Sequence, residues 1–261
     1  MSHRRDSGRR PPPTPPKVKR APPTLDAHVT LWVFCEGEQT EPGWLMHLHQ
    51  ASCRLNLRIA WTGAVGVPRT LWERAKGKLV ELKKGRRTVA SDDEVWIIFD
   101  RDNFPRNKIT EAWAGALRDG LGVVFSNECF ELWPLLHYEF RAAPTGRKEL
   151  QRALEQHDCT YDHDDGATVA WPKIDAATSE AVERAIRLHL RDPVDLVPNP
   201  STSAWLLQQR CLHALDHEAR WFIEILGRHP ELAPLAHLLA EPTRSRALRT
   251  LGPIAHPPPP G

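Results

Sequence analysis

The sequence predicts an α/β fold, a mostly parallel sheet with helices on both faces, followed by a helical C-terminal part. Two observations carry this expectation. From Val29 to about residue 140, short apolar runs alternate with segments of helical period, the pattern of repeated strand–helix–strand units. One run, Glu94-Val95-Trp96-Ile97-Ile98-Phe99, is apolar at every position after the first, which means burial on both faces, as in the middle of a parallel sheet. Beyond residue 140 only helical periods are found.

The first strand, Val29 to Cys35, stops at Glu36-Gly37, and a helix from about Glu41 to Ser52 follows with Thr40 as its N-cap. Leu57 to Trp61 form the second strand. A long helix from about Pro68 to Lys84 carries Leu71, Ala75, Leu79 and Leu82 on one stripe and Lys or Arg elsewhere. The third strand, Glu94 to Phe99, ends abruptly in Asp100-Arg101-Asp102. A helix from about Lys108 to Asp119 leads through Gly120 and Gly122 to the strand Val123 to Phe125, which stops at Ser126-Asn127. The segment Cys129 to His137 is helical, with Pro134 expected to kink it or mark a boundary inside its first turns. Arg147 to Gln156, Ser179 to Leu190 and Ser203 to Leu215 read as helices, as does the remainder to about residue 250.

With 35 Lys+Arg against 33 Asp+Glu the formal charge is only +2, which excludes a globally basic, histone-like protein. The charge is unevenly placed. Residues 1–20 hold seven basic side chains and one acid, so the rest is net −4. Residues 1–23 also hold seven prolines and read as a disordered basic tail, either a solubilising leader or an arm for nucleic-acid phosphates. The expected division is this tail, a sheet domain over 24–142, a helical region over 143–250 and a second disordered tail over 251–261. The 41% apolar content, with ten Trp, is enough for a substantial core. No run approaches the roughly 18 apolar residues of a membrane helix, and the N-terminal run has no apolar core of a secretory signal, so a cytoplasmic location is expected. Cys35, Cys53, Cys129, Cys159 and Cys211 are odd in number and contain no CxxC pair, so they are expected to be reduced core thiols.

In an open α/β sheet, ligands bind outside the carboxyl ends of the strands, and Glu36, Asp100 and Asp102 fall at such ends. Residues two apart on an extended chain point the same way, so Asp100 and Asp102 are able to present both carboxylates to one point. Clustered carboxylates repel and raise one another's pKa unless a cation sits between them, and a hard divalent ion answers that need. Mg²⁺ fits, with Mn²⁺ as a substitute. Such an ion, open to substrate oxygens, suits phosphodiester chemistry. An isolated DxD is ordinarily a solvated loop; the exit from a buried strand and the agreement with Glu36 argue otherwise.

Other features carry less. Glu131 and His137 are six apart, which does not pair them on one helix face, and a lone His on an apolar helix is ordinarily a core residue. Pro198 to Ser203 reads as a turn and helix N-cap whose N–H groups suit a phosphate equally well. His157, Cys159, Asp162 and His163 match no zinc spacing and read as a polar loop. GAVG at 63–66 is not GxGxxG, and neither GxxxxGK[ST] nor GxSxG occurs, so dinucleotide, P-loop ATPase and nucleophile-elbow chemistries lack their motifs.

Four runs, FCEGEQTEP (34–42), IIFDRDNF (97–104), SNECFELWPLLH (126–137) and NPSTSAW (199–205), occur in the order and spacing of RloB-like proteins. The chain resembles this family, Toprim-fold proteins associated with restriction-modification loci and abortive-infection phage defence. The resemblance implies a Toprim-like metal-binding domain in which Glu36 matches the glutamate after the first strand and Asp100 and Asp102 match the DxD acids. In the wider Toprim group these acids bind Mg²⁺ and support strand cleavage. Thr40 and Glu41 match the family's TE, Asn127 and Glu131 its SN and E, Thr202 the end of NPST, and Trp171-Pro172-Lys173 a variant of its tyrosine-x-lysine element. These, with His137 in the ELWxLLH helix, are candidate supporting residues. The resemblance covers roughly 29–210.

The resulting expectation is a Mg²⁺-dependent nuclease in anti-phage defence that acts on DNA or RNA, tRNA included. The family's usual partner, a separately encoded ATPase, suits the missing P-loop. Two competitors remain at this stage. One is a haloacid-dehalogenase-like phosphohydrolase, in which Asp100 is the nucleophile; its motif normally lies on the first strand and continues with Thr or Val. The other is a non-catalytic nucleic-acid-binding component of a defence complex.

Overall fold

The computed structural model describes residues 29–52, 55–63, 65–85, 92–101, 104–164, 166, 168–192, 198–216, 218–252 and 254. The expectations for residues 1–23, for Cys53, for Asp102 and for most of 251–261 lie outside them. The fold is α/β as predicted. Strands β1 (Val29–Cys35), β2 (Leu57–Thr62), β3 (Glu94–Asp100), β4 (Gly122–Asn127) and β5 (Ser201–Thr202) form one sheet in the order β2-β1-β3-β4-β5. The first four run parallel and β5 pairs antiparallel with β4. β3 is buried at all seven positions, as its continuous apolar run requires.

Helices α1 (Thr40–Ser52), α2 (Pro68–Gly85) and α3 (Arg106–Asp119) are the crossovers between the parallel strands. Because the chain moves from β1 to β2 in one direction and then from β3 to β4 in the other, right-handed crossovers put α1 on one face and α2 with α3 on the other. The packing agrees. Trp72 of α2 donates its indole N–H to Asp119 of α3 at 2.8 Å, whereas Trp44 of α1 packs against Phe130 and Trp133. α3 ends at Gly120, whose φ of 83° is the left-handed conformation that closes a helix cheaply only without a Cβ.

α4 (Leu132–Tyr138) begins just ahead of Pro134, so the proline sits in the first turn, where its missing N–H costs nothing. Then follow α5 (Arg147–His157), α6 (Trp171–Ile174), α7 (Thr178–His189), α8 (Ala204–Leu212), α9 (Arg220–Arg228) and α10 (Thr243–Leu251), with a 3-10 turn over Pro230–Leu238. The expectation of helix alone beyond residue 140 is corrected by β5. Two residues give no period to read, and the strand exists because Ser201 and Thr202 bond across to Asn127 and Ser126. Leu251 closes α10, and the Ile254 carbonyl lies 3.1 Å from His237 Nε2, so the second tail does not start at 251.

The C-terminal helices share the hydrophobic core with the sheet: Trp221, Phe222, Leu235 and Leu238 are buried in the same cluster as Ile97 and Phe125. They also clamp its amino edge. Glu94, fully buried at the start of β3, accepts from Arg210 Nε at 2.8 Å, Trp96 Nε1 at 2.9 Å and the Thr243 hydroxyl at 2.5 Å. Arg244 donates to the carbonyls of Leu117, Leu121 and Leu239, and burial pulls its pKa down to about 10. This clamp lies about 20 Å from the carboxyl end of β3, given the rise of a strand. Arg210→Ala therefore strands a buried carboxylate and is expected to cost about 3–5 kcal/mol, read as a lower urea midpoint. No described helix is long and apolar enough to cross a membrane.

Candidate functional site: an acidic cleft at the sheet's switch point

The strand order reverses between β1 and β3, and the ends of those two strands carry Glu36 and Asp100. The Glu36 N–H bonds the Ile98 carbonyl at 3.1 Å, so register alone brings the two carboxylates to the same rim. They line a cleft of about 230 Å³ with the turn Gly37–Thr40, Glu41, Phe130, Glu131, Arg147, Gln151 and His163. This is the crevice in which open α/β sheets bind ligands.

Each acid is fixed differently. Asp100 Oδ2 accepts the Phe130 N–H at 2.9 Å, while its buried Oδ1 has no hydrogen-bond partner. Glu36 Oε2 is likewise buried and without a partner. Glu41, in the first turn of α1, folds back so that its Oε1 accepts the Gly37 N–H at 3.1 Å. A Cβ at residue 37 would overlap the Glu41 carboxylate and displace it from this contact. Glu131 Oε1 takes the Tyr161 hydroxyl at 2.9 Å and lies 3.9 Å from His163 Nδ1.

Burial and the neighbouring carboxylates raise three acids of this crevice. Burial first, then Glu41, Glu131 and Glu36, hold Asp100 well above the usual carboxylate range. Burial pushes Glu36 to about 7, the Asp100 backbone amide and Arg147 opposing and Glu41 adding. Glu41 also rises to about 7, through burial and the neighbouring Glu131. The cleft is thus deficient in positive charge.

A hard divalent cation fits this donor set. Its ligands would be oxygens, two of them buried carboxylate atoms with nothing to bind, and Mg²⁺ commonly takes only one or two protein carboxylates and keeps waters. Among the described residues no three His, Cys, Asp or Glu side chains already converge as a complete ligand set.

Of the candidate supporting residues, Thr40, Glu41 and Glu131 line the cleft. The others do not. His137 is buried with Nδ1 3.0 Å from the Trp133 carbonyl and its ring edge-on to Trp133; burial lowers its pKa to about 4, so it is a neutral core imidazole, apart from Glu131 as their spacing indicated. Thr202 bonds Ser126 Oγ at 3.0 Å inside the core, and Ser201 to Ser203 are fully buried, which removes the phosphate reading of that turn: Ser203 Oγ serves Phe125 N and Val123 O instead. Asn127 ends β4 and Lys173 lies on α6 near Asp158, both outside the cleft lining.

The stretch after α5, residues 158–164, is a polar loop as read, and it reaches the cleft: the Tyr161 hydroxyl bonds Glu131, His163 joins the lining, and Gln151 Nε2 lies 3.1 Å from His163 Nδ1. Its metal-capable side chains form no described ligand set; His157 faces Glu139 at 3.3 Å instead. Arg147 and Gln151, one turn apart on α5, were legible only as a pair at i and i+4 beside the buried Leu150 and Leu154. Of the cysteines, Cys35, Cys129 and Cys211 are free, buried thiols as expected, whereas Cys159 is free and exposed.

The fold and crevice define an α/β protein with a carboxylate-lined site at the switch point of a parallel sheet. Residues 31–210 match the family described as RloB-like protein, and the chain belongs to that family. No curated protein and no solved structure matches the chain.

Proposed function

We propose that this chain is a Mg²⁺-dependent nuclease of Toprim type acting in anti-phage defence. The observation that carries the reading is the pair of buried, partnerless carboxylate oxygens, Glu36 Oε2 and Asp100 Oδ1, on two residues that line one cleft at the sheet's switch point. Glu36 and Asp100 would hold the ion. Asp102 is proposed with them on its place in the DxD motif. When bound, Mg²⁺ would neutralise a phosphodiester and polarise its phosphorus.

The chain's own groups supply the rest. Arg147, the Arg of the described cleft lining, would meet phosphate oxygens there. Glu41, pinned by the Gly37 N–H, stands with a pKa near 7, suited to take a proton from water at neutral pH. Tyr161 holds Glu131 in place, and the Phe130 N–H orients Asp100 so that its other oxygen faces the cleft acids. With no phosphate-binding loop of its own, the chain suits a separately encoded ATPase as partner.

The test is incubation of parent and Glu36→Gln proteins with a mixed pool of DNA and RNA, tRNA included, with Mg²⁺ or Mn²⁺ and then with chelator, alone and with such an ATPase. Cuts that need both the carboxylate and the metal are expected. Nucleic-acid binding that survives Glu36→Gln, with no cutting by the parent, would turn the reading to a binding component.

A further inference from the structure

A second cavity, of about 470 Å³, adjoins the acidic cleft, and the two share Glu38, Gln39 and Thr40 as a common wall. Its character is different. Met46, 49% exposed, stands with Val169, Trp171 and Pro172 as apolar surface, and the described lining contains no Lys or Arg. An anionic group therefore has no counter-charge in it. Its polar lining is Glu38, Gln39, Thr40, Gln50, Thr168 and His47, whose Nε2 lies 2.7 Å from Asp175 Oδ1.

One atom points to an occupant. Trp171 is buried, with 5% of its surface exposed, and its indole N–H has no hydrogen-bond partner. The indole nitrogen lies 3.6 Å from the point a Cβ on Gly43 would occupy, and Gly43 also lines the cavity. The donor lies beneath the cavity wall, with no side chain of Gly43 over it. Buried donors are costly unless something accepts from them.

Apolar surface beside hydrogen-bonding side chains, with no cation among them, fits a flat heterocycle with carbonyl or ring-nitrogen acceptors. Continuity with the acids says which heterocycle. A ligand whose phosphate lies against Glu36 and Asp100 reaches the second cavity across Gln39 and Thr40 with the group next to that phosphate, and in a nucleotide that group is the base. We propose that this cavity is a nucleobase subsite, so that the substrate of the acidic cleft is single-stranded nucleic acid or a nucleotide extruded from a duplex. The proposal deepens the nuclease reading and rests on it for the placement of the phosphate. A stacked duplex cannot deliver a base to a walled cavity without first unpairing it.

The test uses the full chain with Ca²⁺ in place of Mg²⁺, so that a cation is present to hold the phosphate while cutting is suppressed, and fluorescent oligothymidylate and oligouridylate with and without abasic residues, beside a duplex. Met46→Glu places a charge on the apolar face at an exposed position, and Trp171→Phe removes only the N–H and part of the ring. Base-bearing single strands are expected to bind the parent about tenfold tighter than abasic strands or duplex. Met46→Glu is expected to erase that margin and Trp171→Phe to reduce it, with binding of abasic strands unchanged in either. Equal binding of base-bearing and abasic strands by the parent overturns the subsite, as does a failure to bind any strand. Metal-dependent cutting that ignores abasic substitution removes the subsite and leaves the nuclease reading standing. Base-dependent, Met46-sensitive binding with no cutting under any metal does the reverse.

Discussion

Asp100→Asn is expected to reduce metal-dependent cutting by about a hundredfold or more while the protein stays folded and its thermal midpoint in chelator rises. The two halves of this outcome come from the same geometry. One carboxylate oxygen of Asp100 is used by the Phe130 N–H and the other is buried without a partner among Glu36, Glu41 and Glu131. An ionised group so placed destabilises the fold, because desolvation and like-charge repulsion act together. An amide keeps an acceptor for Phe130, removes the charge and turns an N–H toward acids that lack donors. Few core substitutions of a buried polar residue stabilise, so a higher midpoint paired with lost cutting separates a site residue from a structural one. Cutting at the parent's rate by Asp100→Asn would remove the acidic cleft as the reactive centre.

How far the sequence revealed this site depended on where each residue sits in the chain. Glu36 and Asp100 were legible because a strand that is apolar throughout and stops at an acid places that acid at the sheet's carboxyl rim by geometry alone. Glu41 and Glu131 were legible only through the family resemblance, since a helix's first turn is a common place for an acid and carries no sign of which way it bends. Glu41 bends back onto Gly37, a contact no spacing rule contains. Arg147, Gln151, Tyr161 and His163 escaped because α5 and the loop after it reach the cleft through tertiary packing of α4, α5 and α7, not through local pattern. Thr202 misled for the converse reason. A polar Ser-Thr-Ser run reads as exposed, yet all three residues are buried, and the Thr202 and Ser203 hydroxyls find partners on β4 and in the adjoining backbone. In the parallel sheet each element was long enough to show its period; β5, with two residues, was not.

In chelator, the thermal midpoint of the parent is expected to fall by several degrees between about pH 6 and pH 8, and Mg²⁺ to restore more of it at the upper pH than at the lower. The sign follows from the raised carboxyl pKa values. Glu36 and Glu41 move from 4.5 unfolded to about 7 folded, and Asp100 moves well above 3.8. Across that interval the folded state holds protons that the unfolded state has released, so the contribution is fully present below the unfolded values and is lost as pH rises through about 7. His137 acts the other way. Buried and neutral, with its pKa lowered from 6.5 to about 4, it gains stability for the fold as the unfolded imidazole loses its proton. That is one group against three, and its effect is spent within about one pH unit above 6.5, so the carboxylates set the net slope. A bound Mg²⁺ would compete with protons for the same oxygens, and its stabilisation should therefore grow as the protons leave. Asp100→Asn should flatten the chelated slope and the metal response together. A midpoint that rises with pH in chelator, or a Mg²⁺ response equal at both ends of the range, would mean that these acids neither repel one another nor share a cation.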